Sequence, residues 1–415
     1  MFRSIAALFI LSSIVFSKET INKHQLQAVT NKSKETSKAK TEVLTGLDIL
    51  LEQKPYFIQG RSIALVTNKT GIDKAGIPNY QRFMEMDDVD LKMIFTPEHG
   101  LFGEAADGEK VAYDSIGIKL PTVVSLYGNI RKPTPDMLAG VNTIVYDIQD
   151  IGARFYTYIS TLGLVMEAAA EADIPVIVLD RPNPLNGITI EGPVLDINYK
   201  SFVGMYPIPI RYLLTIGELA KMIIGEKWIE HVPKLTVIEM AGWERTMYYD
   251  DTGLSWISPS PNIPDLETAI LYPGMCLFEG TNVSEGRGTN YPFQYIGAPW
   301  IDSSKIIKAI EGKHIPGVVF EPISFIPISI PGKSLKPKFE NEKCYGIKII
   351  LIENKIYKSV DTAVQLLKII QELYPEKFQW NDFIYKLWGN GMILEYDEDI
   401  TKTFANRFSN YFIYD

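Results

Sequence analysis

Residues 143–183 read TIVYDIQDIGARFYTYISTLGLVMEAAAEADIPVIVLDRPN, and the fold follows from them. Thr143 to Ile148 and Pro175 to Leu179 are short, nearly continuous apolar runs rich in β-branched residues, the pattern of strands buried on both faces. Between them, Leu162, Val165, Met166, Ala169 and Ala170 recur at helical spacing over Ser160 to Ala172, behind a Ser/Thr cap. Strand, helix and strand in this arrangement imply a mainly parallel sheet with helices on both faces.

Working outward, Ser62 to Thr67, Leu91 to Thr96 and Pro121 to Ser125 repeat the buried-strand pattern, and Leu44 to Gln53 and Thr215 to Ile224 read as further helices. The fold class is α/β, with a Rossmann-like, mainly parallel sheet domain over 43–245. Beyond about Gly242 the chain turns rich in Pro, Gly and aromatic residues (Trp256 to Pro264, Tyr272 to Trp300). Strand and helix patterns then resume at Val318, Ile347 and Asp361. This second part, 246–415, reads as a smaller auxiliary α+β domain.

The first residues, MFRSIAALFILSSIVFS, place one Arg before an apolar run that is short for a membrane span and ends in a small residue. They predict a signal peptide over 1–17. The polar stretch 18–42 reads as a flexible linker, so the chain is expected to be exported, periplasmic or extracellular, with no stable membrane span after signal removal.

The 415 residues are 46% hydrophobic and 22% charged, ordinary globular usage with enough chain for two cores. A net charge of −9, from 41 Lys plus Arg against 50 Asp plus Glu, repels a phosphate backbone, so no nucleic-acid partner is expected. Cys276 and Cys344 carry no disulfide framework, and the four histidines form no HExxH pair, so no metal site is expected. No GxGxxG follows the first strand and no GxSxG occurs. Gly332-Lys333-Ser334 has Pro327 where a phosphate loop needs Gly. These absences weaken dinucleotide, serine-hydrolase and nucleotide readings, and no cofactor is expected.

In an open parallel sheet, ligands bind beyond the carboxyl ends of the strands. Those positions here are polar: Asn68 after the first run; Pro97, Glu98, His99 and Gly100 after the second; Asp147, Gln149 and Asp150, then Arg154, Phe155 and Tyr156, after the fourth; Asp180, Arg181 and Asn183 after the fifth. Each alone is equally well a turn former or cap, and Asp180-Arg181 equally well a structural ion pair. Together they point to one rim. Glu98, held between a proline and His99-Gly100 at a buried strand end, is the strongest candidate acid, as a partly desolvated carboxyl with a raised pKa; His99 is placed to orient it or assist proton transfer. Farther on, the glycines of 280–288 (GTNVSEGRG) permit a loop that presents Asn282, Glu285 and Arg287 to an anionic or sugar ligand.

Longer phrases carry a family resemblance: ALVTNKTGID (64–73), FTPEHGLFGEAADGE (95–109), SLYGNIRKPTPDML (125–138), VLDRPNPLNG (178–187) and FEGTNVSEGRGTNYPF (278–293). From about residue 44 to at least Trp300 the chain resembles the NamZ-type exo-β-N-acetylmuramidases. The resemblance implies glycoside hydrolases that release terminal N-acetylmuramic acid from the non-reducing end of peptidoglycan fragments. It implies a catalytic glutamate in the PEHG phrase, which falls on Glu98, and a cleft between a Rossmann-like and an auxiliary domain. On this reading Glu98, His99 and Tyr156 are the catalytic candidates. Asn68, Asp147, Arg154, Asp180, Arg181, Asn183, Asn282, Glu285 and Arg287 are the substrate-binding ones, and the partners are saccharides containing N-acetylmuramic acid. The lactyl carboxylate of that sugar calls for an arginine, with Arg154, Arg181, Arg211 and Arg287 available. Asp147, Asp150, Tyr156 and Glu285 remain open as the second catalytic group. An exported, non-catalytic binding protein for wall fragments is the alternative.

Overall fold

Six strands, β1 (Arg61–Thr67), β2 (Val89–Thr96), β3 (Thr122–Ser125), β4 (Thr143–Asp147), β5 (Val176–Leu179) and β6 (Leu235–Ile238), form one sheet in the computed structural model of the protein. It describes residues 42–103 and 120–415. The expected signal peptide, 1–17, and the linker up to its last residue lie outside the described residues. The strand order is β3-β2-β1-β4-β5-β6 and every neighbouring pair is parallel, the doubly wound order of a Rossmann-like sheet.

The side-chain period of two sends Ala64 and Val66 of β1 to one face and Ile63 and Leu65 to the other. The first face packs, with Phe95 and Tyr146, under Leu162, Val165 and Met166 of α3 (Tyr158–Glu171). The second packs, with Ile94, Val145 and Ile177, under Leu47 and Leu50 of α1 (Gly46–Gln53) and Phe83 of α2 (Asn79–Met84). Burial on both faces is why these strands are continuous apolar runs. Capping boxes start α1 (Thr45 with Asp48) and α4 (Ile216–Gly225, Thr215 with Glu218).

The later part holds α5 (Leu266–Met275), α6 (Ser303–Glu311), α7 (Ser359–Leu373), α8 (Phe383–Trp388) and α9 (Glu398–Phe408). Strands β7 (Tyr295–Ala298), β8 (Val318–Phe325) and β9 (Cys344–Leu351) make a second, antiparallel sheet in the order β7-β9-β8. Helices α5 and α7 approach so closely that a Cβ at Gly274 would lie 1.9 Å from the Ser359 carbonyl oxygen. Residues 42–415 make one compact unit, and a single apolar cluster runs from the α3 side of the main sheet through α5 and α7 to Ile296 and Ile347 of the second sheet. Among the described residues no helix is long and apolar enough to cross a membrane.

Candidate active site

The loops after β2, β3 and β4 open onto a cavity of about 480 Å³ whose other wall comes from α5, the 276–293 segment and α8. Glu98 and His99 stand at its edge, both half-buried. The loop that carries them is tight: Gly100 N donates to the Pro97 carbonyl at 3.2 Å, and His99 (φ 72°) and Gly100 (φ 71°) are both left-handed. That conformation costs a non-glycine residue about 1–2 kcal/mol, strain of the kind that accompanies functional loops.

Thr157 immediately precedes α3, where a threonine ordinarily caps the helix through its hydroxyl. It makes no side-chain cap hydrogen bond; its Oγ1 instead donates to Glu98 Oε2 at 3.1 Å. The helix start therefore fixes the orientation of the acid.

Aromatic rings line the cavity. Tyr156 meets Tyr158 edge-on at 4.7 Å and Tyr272 at 6.0 Å, and Tyr272 meets Phe293 at 4.8 Å. Burial pushes the Tyr156 phenol well above its usual pKa, so it stays protonated and can donate a hydrogen bond. The Cys276 thiol, raised for the same reason, is held in its unreactive form.

Across from these, Glu279 accepts from Arg287 through Nε at 2.9 Å and Nη2 at 2.8 Å. Burial raises the Glu279 pKa and the neighbouring guanidinium opposes that shift. Among the described residues, Glu98 and Glu279 are the two carboxylates lining this cavity. Arg131, whose guanidinium lies 4.5 Å over the Phe202 ring, and Lys386 are cations of the same lining, and neither has a carboxylate partner among the described residues. Asn262 donates through Nδ2 to the Lys333 carbonyl at 2.7 Å, which fixes its amide and leaves Oδ1 buried with no partner.

Of the catalytic and substrate-binding candidates named from the sequence, Glu98, His99, Tyr156 and Arg287 line the cavity, as does Phe155 of the same rim. Others face inward. Asp147 and Arg181 form a buried bidentate pair at 2.6 and 3.0 Å, with Asn79 donating to the same carboxylate. Arg154 is fully buried and donates to four carbonyls, those of Pro193, Ile208, Leu387 and Trp388. Asp180 accepts from Thr215 Oγ1, Gly217 N and Tyr414 OH. Asn183 bridges Leu214 O and Leu185 N, and Asn68 accepts from Thr70 and hydrogen-bonds to Tyr158. Arg211 is buried against Glu191 at 2.8 Å, and Asp150 is buried with Tyr212 and Gly152 N. In the second part, Asn282 pins its loop to Lys377 O and Gln379 N, and Glu285, held by Lys338 at 2.9 Å, lines an adjoining cavity. A charge at the end of a buried strand must be paired or hydrogen-bonded, and these residues find their partners among one another, distant side chains and backbone carbonyls, although Asp150 Oδ1, Arg154 Nε and Arg211 Nε remain buried without one among the described residues.

Sequence reasoning missed Thr157, Arg131, Asn262, Glu279 and Lys386. Arg131 and Glu279 sit inside quoted phrases, SLYGNIRKPTPDML and FEGTNVSEGRGTNYPF, so a signal existed for them. Lys386 carried none.

Two family models match almost end to end: exo-β-N-acetylmuramidase NamZ, N-terminal, over residues 63–267, and its C-terminal counterpart over 270–411. The peptidoglycan β-N-acetylmuramidase NamZ of Bacillus subtilis (strain 168) is 42% identical over 364 residues, 87% of this chain and 86% of that protein. Crystal structures of two DUF1343 family proteins from Bacteroides fragilis are similar. One has a TM-score of 0.80 and 34% identity and covers 90% of this chain and 100% of its own; the other has 0.71 and 29%, covering 90% and 99%.

Proposed function

We infer the activity from one premise: the chain belongs to the NamZ exo-β-N-acetylmuramidase family. It is a glycosidase, and the reading we propose is an exo-acting hydrolase that releases terminal β-linked N-acetylmuramic acid from the non-reducing end of peptidoglycan fragments. The observation that carries it is the grouping, in one cavity, of Glu98, Glu279 and a cation without a carboxylate partner, Arg131.

Each group then has a task. The glycosidic C1–O bond breaks as Glu98 gives its proton to the departing oxygen, and Thr157 keeps the carboxyl aimed. Positive charge that develops at the anomeric carbon is stabilised by the carboxylate form of Glu279, which the Arg287 guanidinium favours against the opposing effect of burial; a water molecule adds to that carbon through its oxygen, and the proton it releases returns to the Glu98 carboxylate. The Tyr156 phenol donates to the sugar, whose apolar face rests on the aromatic rings. Arg131, stacked on Phe202 and backed by Lys386, binds the lactyl carboxylate and so separates N-acetylmuramic acid from N-acetylglucosamine. Export belongs to the same reading: the amino-terminal apolar run of 1–17 supports it, and amino-terminal sequencing of protein recovered outside the cytoplasm tests it.

The test is release from a chromogenic β-N-acetylmuramic acid glycoside beside its N-acetylglucosamine counterpart. Turnover of the first alone is expected. Thermal stabilisation by the muramic sugar without turnover of either would favour a binding protein instead.

A further inference from the structure

A second cavity of about 270 Å³ adjoins the first, and Glu279 and Arg287 line both. Its remaining charged lining is Glu285, Lys333, Lys336 and Lys338. The two carboxylates are already engaged, Glu279 by Arg287 and Glu285 by Lys338 at 2.9 Å. Lys338 is also anchored to the carbonyls of Phe278 and Val283. Lys333 and Lys336 are left without a carboxylate partner among the described residues, and Lys333 donates only to the Thr289 carbonyl, at 3.2 Å. Asp265 offsets part of the Lys333 charge, but four cations against two carboxylates in the lining leave the annex net positive in a chain of net charge −9.

The loop that presents these lysines is built rather than loose. Lys336 N donates to Ser329 Oγ at 3.0 Å, Ile330 and Ser334 pair across the turn, and Lys336, Phe339 and Asn341 are all left-handed, with φ of 49°, 57° and 63°. Three strained non-glycine residues in six positions are unusual for a simple surface turn.

We propose that the annex is the subsite for a carboxylate carried by the departing glycan, two sugars beyond the bond that is cut. The inference rests on the exo-muramidase reading. In an alternating glycan, the sugar beyond the scissile bond is N-acetylglucosamine, and the next is another N-acetylmuramic acid with its own lactyl group. A fragment whose terminal residue sits beside Glu98 leaves past the Glu279–Arg287 wall, and the following lactyl carboxylate meets Lys333 and Lys336. The enzyme thereby favours fragments of four sugars over two, and favours those whose inner lactyl group is still a free acid.

The test compares kcat/KM for two peptide-free tetrasaccharides that alternate N-acetylmuramic acid and N-acetylglucosamine, one with the inner lactyl group as carboxylate and one as carboxamide. An advantage of about fivefold for the carboxylate is expected, the size of an exposed charge contact. It should shrink in high salt, narrow in Lys336→Gln, narrow further in Lys336→Glu, and fall to unity in the Lys333→Gln/Lys336→Gln double variant. The amide arm separates charge recognition from mere occupancy by a longer chain. Equal kcat/KM values for the wild type, or an advantage untouched by Lys336→Glu, would overturn the assignment. Failure to cleave the chromogenic muramic glycoside as well would remove the exo-muramidase reading itself, a result distinguishable from a flat ratio.

Discussion

Arg154→Met removes the donors that join the two parts of the site. The guanidinium is fully buried just after β4; Nη1 donates to the Pro193 carbonyl at 2.7 Å and to Ile208 at 2.8 Å, while Nη2 donates to Leu387 and Trp388, both at 2.8 Å. Burial pulls its pKa down to about 9, which still leaves it charged at neutral pH. Methionine fills much of the side-chain volume and leaves the Pro193, Leu387 and Trp388 carbonyls without a donor, while Ile208 O keeps the Leu195 amide at 3.1 Å. Each orphaned buried acceptor costs about 1–3 kcal/mol, and the relief of no longer burying a charge offsets part of the sum. A net loss of about 3–5 kcal/mol is expected, the usual result of removing one side of a buried charged contact. Urea unfolding followed by circular dichroism measures it as a lower midpoint at unchanged slope. Because Leu387 lines the cavity and Arg154 directly precedes Phe155, Tyr156 and Thr157, turnover should fall even where the variant is fully folded. A loss below about 1 kcal/mol would refute the role of Arg154 as the tie between β4 and α8.

Other perturbations separate the remaining contributions. Thr157→Val removes the hydroxyl that holds Glu98, so kcat should fall by about tenfold with little change in KM, and an unchanged kcat contradicts the contact. Arg131→Ala should narrow the preference for muramic over glucosamine glycosides by about tenfold or more, read as a ratio of kcat/KM values. Tyr414→Phe removes the hydroxyl that donates to Asp180 at 2.6 Å and accepts from Met240 N at 2.9 Å. Burial pushes Asp180 up to about 7, so the folded protein holds that proton more tightly than the unfolded chain, and this contribution to stability falls as pH rises from about 4 to about 7. Losing the Tyr414 donor raises the Asp180 pKa further. The destabilisation of Tyr414→Phe should therefore grow as pH passes upward through about 7, and equal unfolding midpoint shifts at pH 5 and pH 8 would contradict it.

The sheet was legible where burial leaves a continuous apolar trace. β1, β2, β4 and β5 sit inside the sheet with both faces covered, and their runs could be read directly; β6 lies at the edge with three of its four residues half-buried, and LTVI between charged loops carries no such trace. The site was legible only in part. Glu98 stood out because a carboxyl group follows a buried strand in a tight loop. The same logic also selected Asp147, Arg181 and Asp180, whose partners (each other, Asn79, Thr215 and Tyr414) come from distant positions in the chain. Whether a buried charge faces its partner or a ligand is a property of tertiary pairing, which spacing along the sequence does not encode. Thr157 looked like part of a helix cap, and only the folded loop after β2 turns its hydroxyl toward an acid. Lys386 reaches the cavity through α8, from the stretch of chain with the weakest family phrases.

Glu98 as the proton donor is the central claim, and Glu98→Gln tests it most directly on two substrates that differ only in leaving group. With the disaccharide N-acetylmuramyl-β-1,4-N-acetylglucosamine, whose departing oxygen needs a proton, turnover should fall by about a hundred- to ten-thousandfold. With the dinitrophenyl β-N-acetylmuramic acid glycoside, whose leaving group departs unprotonated, much of the wild-type rate should survive. Wild-type turnover of the disaccharide by a folded Glu98→Gln variant would contradict the account.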